Sequence, residues 1–268
     1  MYKILVIIML LQLCHVCHAW SGLDRDDVFI VEKTTAKTYS FDSRSLPGRK
    51  LVVDVTSGSI NVRGHDSSEI QAQVTEHLQG RQQADLAQAE KELKLIVEQT
   101  SYGLLTFLET PYRDSSYLYF QRSRDYRFRY DVNLEVPHDM ALELYHVRQG
   151  DVRLSGISGT IRIDTAQGDV ILADVLAAGS VKTITGDIIL AYTRMPDVDL
   201  ALHSRFGDMY CGFDYRLMPV PAMPVVSRDG ALTRYSKDSF ARIRLARGGP
   251  SMTLDSISGD ILVRDNRK

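Results

Sequence analysis

A short phrase that starts with glycine recurs eight times, and it constrains the fold more than any other feature of this chain. Each copy continues with a small or acidic residue and then places aliphatic residues at alternate positions, as in GDVIL from Gly168. The copies start at Gly58, Gly150, Gly159, Gly168, Gly179, Gly186, Gly207 and Gly259. Alternation with period two is typical of a half-buried strand, and glycine turns the chain at low steric cost. We therefore predict short strands separated by glycine turns.

The spacing of the copies predicts how these strands stack. Gly150, Gly168 and Gly186 lie 18 residues apart and each precedes Asp, whereas the interleaved Gly159 and Gly179 lie 20 apart and precede Thr and Ser. Two alternating half-repeats predict a coil of about 18 to 20 residues with two turns. A single coil cannot bury its own apolar face, so coils must stack around a shared aliphatic core. The predicted fold is all-β, a parallel β-solenoid resembling a β-helix.

The N-terminal side of the repeat predicts one short helix and two hairpins. Residues 81–92 (RQQADLAQAEKE) are strong helix formers without Gly or Pro. Residues 93–99 and the LLTFLE segment flank Tyr102-Gly103, which predicts a hairpin, and a second hairpin is predicted over 117–136. The 81–136 region is predicted to cap the solenoid, because an uncovered sheet edge invites strand-to-strand aggregation.

The C-terminal side is predicted to contain an irregular loop over residues 215–237. Its three prolines, Pro219, Pro221 and Pro224, cannot all donate to a central ladder. Residues 240–263 are predicted to form the final coil.

The N-terminus predicts export. Residues 1–19 contain one lysine, an apolar run of about ten residues and Cys17-His18-Ala19, which is typical of a signal peptide cleaved after Ala19. The apolar run is too short to span a bilayer. Residues 20–268 are then predicted to be a single β-solenoid domain without a membrane span.

Charge and cysteine content limit the partners. The formal net charge is −2, and loss of Lys3 with the signal peptide leaves the chain slightly more acidic, so nothing attracts nucleic acid. Cys211 is the single cysteine beyond the signal peptide. Because it occupies an inward strand position, we predict a buried, inert thiol, with a reactive or intermolecular thiol as the alternative.

The order of these parts resembles the DUF4097-type putative adhesin family of bacterial exported proteins. The resemblance covers roughly residues 50–265 and rests on TSGSINV, the helix, DVNLEVP ending at Pro137, the run from LYHVRQGDVRLSG to GDVIL, TITGDIIL and SISGDIL. It implies a β-helix-like solenoid on an envelope-associated protein, and it carries over no catalytic residues. The insertion at 215–237 departs from the family pattern.

Aspartates follow five of the repeated glycines. These residues are Asp151, Asp169, Asp187, Asp208 and Asp260. Stacked carboxylates can bind calcium, but the dense GGxGxD repeat of calcium-binding β-rolls is absent. We interpret Gly-Asp as turn chemistry in which Asp accepts a backbone N–H. No metal site and no cofactor are predicted.

Tyrosine and arginine are concentrated between residues 112 and 130. The candidate binding residues are Tyr117, Tyr119, Arg122, Arg124, Arg127 and Arg129. Alternation places Tyr126, Phe128 and Tyr130 on one strand face and Arg127 and Arg129 on the other. Both residue types favour binding surfaces, where they suit sugars or phosphate-bearing polymers. The alternative is a capping hairpin with packed aromatics and solvated arginines.

Catalytic motifs such as GxSxG, HExxH, the P-loop and CxxC are absent. We predict a non-enzymatic interaction or structural module of the cell envelope, in the periplasm or at the cell surface, with a glycan or protein partner. The alternatives are a polysaccharide-active enzyme on a β-helix scaffold and a regulatory component of the envelope stress response.

Overall fold

The computed structural model describes residues 29–46, 48–99, 104–110, 125–219, 226–229, 232–235 and 239–267. The predicted signal peptide lies outside these residues. The strands are β1 (Val31–Asp42), β2 (Lys50–Ser57), β3 (Ile60–His65), β4 (Glu69–Gly80), β5 (Lys94–Gln99), β6 (Leu104–Thr110), β7 (Tyr126–Pro137), β8 (Ala141–Gln149), β9 (Val152–Ser155), β10 (Ile161–Gln167), β11 (Val170–Ala173), β12 (Gly179–Thr185), β13 (Ile188–Tyr192), β14 (Val198–Ser204), β15 (Met209–Cys211), β16 (Tyr215–Leu217), β17 (Val226–Asp229), β18 (Leu232–Tyr235), β19 (Ser239–Leu245), β20 (Ser251–Ser258) and β21 (Ile261–Asp265). Helix α1 spans Gln83–Glu92, and a 3₁₀ turn spans Ser43–Ser45.

Most of these strands belong to two large sheets. Sheet A has the order β1-β4-β7-β3-β9-β11-β13-β21-β15, and sheet B has the order β16-β19-β14-β20-β12-β10-β8-β2-β6-β5. Strands β17 and β18 form a separate antiparallel pair. The predicted all-β class is therefore confirmed. Both large sheets are mixed, because antiparallel strands flank a parallel centre.

The parallel centre consists of six strand pairs that each contribute one strand to sheet B and the next to sheet A. These pairs are β2–β3, β8–β9, β10–β11, β12–β13, β14–β15 and β20–β21. In every pair one of the repeated glycines lies between the two strands. Val152, Val170 and Ile188 are direct register partners at intervals of 18 residues. The predicted 18-residue spacing is thus confirmed in the hydrogen-bonding register.

The hydrophobic core lies between the two sheets. Along β11 and β13 the alternate residues Val170, Leu172, Ile188 and Leu190 are completely buried, while the residues between them face outward. Burying one such aliphatic side chain contributes about 1.5–3 kcal/mol, so the repeated columns supply most of the driving force for folding. The inward direction predicted from the alternation is confirmed.

The strand pairs do not stack in chain order. The last pair, β20–β21, lies between β12–β13 and β14–β15 in both sheets. The expectation of a C-terminal coil at the end of the stack is wrong. Strand β14 instead pairs on its other side with β19, and β16 follows as the edge strand of sheet B.

The N-terminal half contains the predicted helix and first hairpin. Helix α1 begins two residues later than expected, where the Asp85 carboxylate accepts the backbone N–H groups of Arg81 at 3.0 Å and Gln82 at 2.9 Å. Leu86 and Ala89 of the helix pack on β4 and β7. The hairpin β5–β6 is confirmed, and β6 also pairs in parallel with β2, so the hairpin extends sheet B.

Three further segments complete the strand pattern, and the expectation for one of them, residues 215–237, needs correction. The N-terminal segment forms one 12-residue strand, β1, which pairs antiparallel with β4. Strand β7 pairs with β4 and β3 and lies inside sheet A; the first arm of the hairpin predicted over 117–136 falls outside the described residues, so that hairpin stays a prediction. The 215–237 segment contains β16, β17 and β18 rather than an irregular loop alone. Pairing with distant strands incorporates β1, β7 and β16 into the large sheets, whereas β17 and β18 pair only with each other among the described strands.

Candidate binding surface

The repeated glycines form a column where neighbouring turns approach closely. A Cβ added to Gly168 would lie 2.0 Å from the carbonyl oxygen of Gly150, and one added to Gly186 would lie 2.1 Å from that of Gly168. Both glycines also have positive φ angles, 126° and 142°. Close backbone approach and positive φ together require glycine there. Gly58, Gly150, Gly207 and Gly259 occupy the equivalent turns, whereas Gly159 and Gly179 lie where sheet B strands begin.

The aspartates after these glycines form a hydrogen-bonded column along the same edge. Oδ1 of each of the first four carboxylates accepts the backbone N–H of the Asp in the next strand pair of the stack. The N–H of Asp169 donates to Asp151 (3.1 Å), and the N–H of Asp187 donates to Asp169 (2.9 Å). The N–H of Asp260 then donates to Asp187 (2.8 Å), and the N–H of Asp208 donates to Asp260 (2.8 Å). Within the described residues, no three His, Cys, Asp or Glu side chains are grouped to hold a metal ion. The carboxylates accept backbone N–H groups, as expected, but the donors belong to the adjacent strand pair rather than to the same turn.

Sequence reasoning missed one member of this column, Asp131 in β7. Its Oδ1 accepts the backbone N–H and the hydroxyl of Ser59 at 2.9 and 3.0 Å. Tyr130, not glycine, precedes Asp131, so Asp131 lies outside the glycine-led repeat. The motif DVNL at 131–134 nevertheless matches DVRL at 151–154, and this match was the available signal.

Two of the six predicted binding residues, Arg127 and Arg129, lie on the outer face of β7, and the other four fall outside the described residues. Tyr126 and Tyr130 face inward and are buried, so the predicted division of the strand faces is confirmed. The Arg127 guanidinium lies 4.3 Å from the centre of the Phe29 ring, and Arg129 forms an ion pair with Asp131 at 3.2 Å. Both arginines therefore already have partners within the protein.

A polar cluster surrounds Asp131 on this face. His77 Nε2 lies 3.0 Å from Asp131 Oδ2, and Thr34 Oγ1 lies 3.3 Å from His77 Nδ1. Burial raises the pKa of the Asp131 carboxyl, but the Ser59 hydrogen bonds, Arg129 and His77 outweigh burial and lower it below 3.8. Asp131 is therefore held as a carboxylate that joins β3, β4 and β7.

A polar groove of about 720 Å³ lies further along the outer face of sheet A. Its floor consists of two rows of side chains, the first crossing six neighbouring strands and the second crossing five of them. The first row is Thr38, Gln73, Asn133, Asn61, Arg153 and Ile171. The second row is Gln71, Glu135, Arg63, Ser155 and Ala173. Arg129 lies four residues before Asn133, about 14 Å along the strand, so the groove and the arginines share one face but not one site.

Many polar side chains in the groove have no protein partner. Within the described chain, the side chains of Arg63, Glu135, Gln71 and Gln73 make no hydrogen bond or ion pair, although Arg63 and Glu135 are register partners. Asn61 donates to Asn133 at 3.0 Å and Arg153 to Asp151 at 2.7 Å. The groove thus offers donors and acceptors of both charges to a ligand.

The outer face of sheet B is different, because its charges are largely paired. The pairs are Lys50–Glu143, Arg162–Asp164, His203–Asp255 and Arg244–Asp199, whereas Glu98, Lys182, Arg216 and Arg242 on the same face lie outside them. The cavity of about 720 Å³ lies on the outer face of sheet A, beside side chains that make no hydrogen bond or ion pair within the described chain. The groove on sheet A is therefore the better candidate site.

The Cys211 side chain is half-buried at the end of the core and contacts the carbonyl of Phe213 at 3.6 Å. Burial raises the pKa of its thiol, although the Phe213 contact opposes the shift. Burial is the larger effect, so Cys211 is mainly a neutral thiol near neutral pH.

No helix in the described part of the chain combines the length and the apolar character that crossing a bilayer requires.

Comparison with solved structures shows that the fold has been observed before. A putative cell adhesion protein from Clostridium sporogenes matches with a TM-score of 0.56 and 10% identity, over 87% of this chain and 100% of that chain. Putative adhesins from Bacteroides fragilis (12% identity, TM-score 0.30, 85% and 97% covered) and Parabacteroides distasonis (10%, 0.25, 87% and 97%) are more distant. No family model matches the chain. No curated protein matches it either. The first structure shares this fold.

Proposed function

We propose that this chain is an exported, non-enzymatic interaction module of the cell envelope that binds its partner on the outer face of sheet A. The supporting observation is the polar groove, where Arg63, Glu135, Gln71 and Gln73 are not used by the protein itself. A rigid sheet presents such groups at fixed positions, which lowers the entropic cost of binding.

The scaffold in this proposal is a single domain, a short β-solenoid formed by the six stacked strand pairs. Shared inward columns, the glycine column and the Asp column support it. The fold shared with a putative cell adhesion protein is consistent with an adhesin-like role. Membership of the DUF4097-type family belongs to the same proposal and rests on the motifs alone.

Export is proposed from residues 1–19. Expression of the intact chain in a bacterial host with cell fractionation tests this part. Mature protein outside the cytoplasm with Trp20 as its first residue is expected. Unprocessed chain confined to the cytoplasm would exclude export.

Binding is tested by capture from envelope extract. We expect the wild-type protein to retain an envelope component, and the double variant R63A/Q73A in the groove to lose it. The double variant K182A/T253A changes two exposed residues on the outer face of sheet B and serves as the matched control. A third variant, R127A/R129A, tests the arginines predicted from the sequence. Equal capture by all four proteins would show that sheet A is not the binding face.

A further inference from the structure

We infer that the groove on sheet A binds an uncharged, linear polysaccharide that lies across the strands, parallel to the two rows of side chains. This inference rests on the proposed function and specifies the ligand class. Three observations support it: the direction in which the groove crosses the strands, its charge and its chemical composition.

The direction follows from the sheet geometry. The first row, from Thr38 on β1 to Ile171 on β11, crosses five gaps between strands, so it is about 24 Å long at about 4.8 Å per gap. The strand spacing is similar to the length of one pyranose unit in an extended chain. A glycan along the row would therefore place roughly one sugar in each gap between strands, or about five sugars in all.

The charge of the groove favours an uncharged ligand. Arg153 is already paired with Asp151 at 2.7 Å. The remaining charges, Arg63 and Glu135, are one of each sign and are register partners. An anionic polymer would gain from Arg63 but would lie against Glu135, so the groove has no net attraction for it.

The composition of the groove distinguishes a glycan from a protein. Protein interfaces depend on buried aromatic, methionine or arginine anchors in apolar pockets. The outward groove residues include no aromatic or methionine side chain, and four of them are amides, Asn61, Gln71, Gln73 and Asn133, which both donate and accept hydrogen bonds and therefore match sugar hydroxyls. Ile171 and Ala173 at one end offer a small apolar surface for the C–H face of a sugar ring.

The test measures binding of the intact chain to uncharged β-1,4-linked gluco- and N-acetylgluco-oligosaccharides of one to six units, and to linear uncharged envelope glycans on an array. Oligogalacturonides serve as the anionic comparison. We expect affinity to rise with chain length up to about five units and then to level off. The variant R63A/Q73A should weaken binding roughly tenfold or more, whereas K182A/T253A should not change it.

Four results would overturn the inference. They are preference for oligogalacturonides, affinity that does not depend on chain length, absence of groove-dependent binding to every uncharged linear glycan, and capture of a protein through the groove. In the last case the proposed function would stand while the ligand class would be wrong. Failure to capture any envelope component would instead contradict the proposed function itself.

Discussion

Asp187 accepts the backbone N–H of Asp260 at 2.8 Å, although the two residues are 73 positions apart in the chain. This hydrogen bond joins β13 to the last strand pair, which the chain inserts between two earlier pairs. The Asp column therefore reports the spatial order of the repeats, Asp151, Asp169, Asp187, Asp260 and Asp208, rather than their order in the sequence.

Substitution of Gly186 by Ala should destabilise the protein by at least about 2 kcal/mol. The added Cβ would meet the Gly168 carbonyl oxygen at 2.1 Å, and φ is 142°, so the backbone must shift. The control is G212A, because a Cβ on Gly212 would meet nothing closer than 3.4 Å. Urea unfolding of both variants checks this, and equal stabilities would show that the turns tolerate a side chain.

Loss of the Asp187 carboxylate should cost about 1 kcal/mol of stability, because the Asp260 N–H loses its acceptor. Asp187→Ala removes the acceptor, whereas Asp187→Asn keeps a carbonyl oxygen and should be less destabilising. Thermal and urea unfolding compare the two variants. If Asp187→Ala is as stable as the wild-type protein, repulsion between stacked carboxylates offsets the hydrogen bond.

Removal of residues 250–268 should unfold the region around β14 as well as the deleted strands. The reason is that β20 and β21 separate β12 and β13 from β14 and β15 in the sheets. Hydrogen exchange followed by mass spectrometry should show rapid exchange in β14 and β15 and retained protection in β8 to β11.

Removal of residues 266–268 alone is the matched control for this truncation and should leave β14 protected. Continued protection of β14 after the longer truncation would contradict the inserted position of β20–β21.

Protonation of the Asp131 carboxylate should lower the free energy of unfolding at acid pH. Because its pKa is below 3.8 in the folded state, the unfolded chain binds this proton more readily. The stabilisation is complete above the unfolded pKa of about 4 and is lost as the pH falls through the lower folded pKa.

This dependence can be measured as the free energy of unfolding between about pH 6 and about pH 2.5. Asp131→Asn should show a shallower loss of stability than the wild-type protein, and Ser59→Ala should lie between them, because the backbone N–H of Ser59 remains as a donor. Parallel curves for Asp131→Asn and the wild-type protein would contradict the role assigned to Asp131.

The sequence by itself determined the local features of this protein. Period-two alternation specified which valines and isoleucines face the core, because successive side chains of a strand point to opposite faces. Glycine positions specified the turns between sheets, and the helix formers before Leu93 specified α1. Each of these signals lies within a few residues of the structure that it produces.

Only the tertiary structure decided the order of the strand pairs and the composition of the groove. Near-identical Gly-Asp repeats present the same backbone hydrogen bonds and similar apolar columns, so nothing local excludes the insertion of β20–β21 between earlier pairs. The groove combines Gln73, Asn133, Asn61 and Arg153, which are brought into one row by pairing between distant strands. Contacts between residues so far apart depend on which strand pairs with which sheet edge. The local sequence pattern does not specify that choice, because every repeat offers a similar edge.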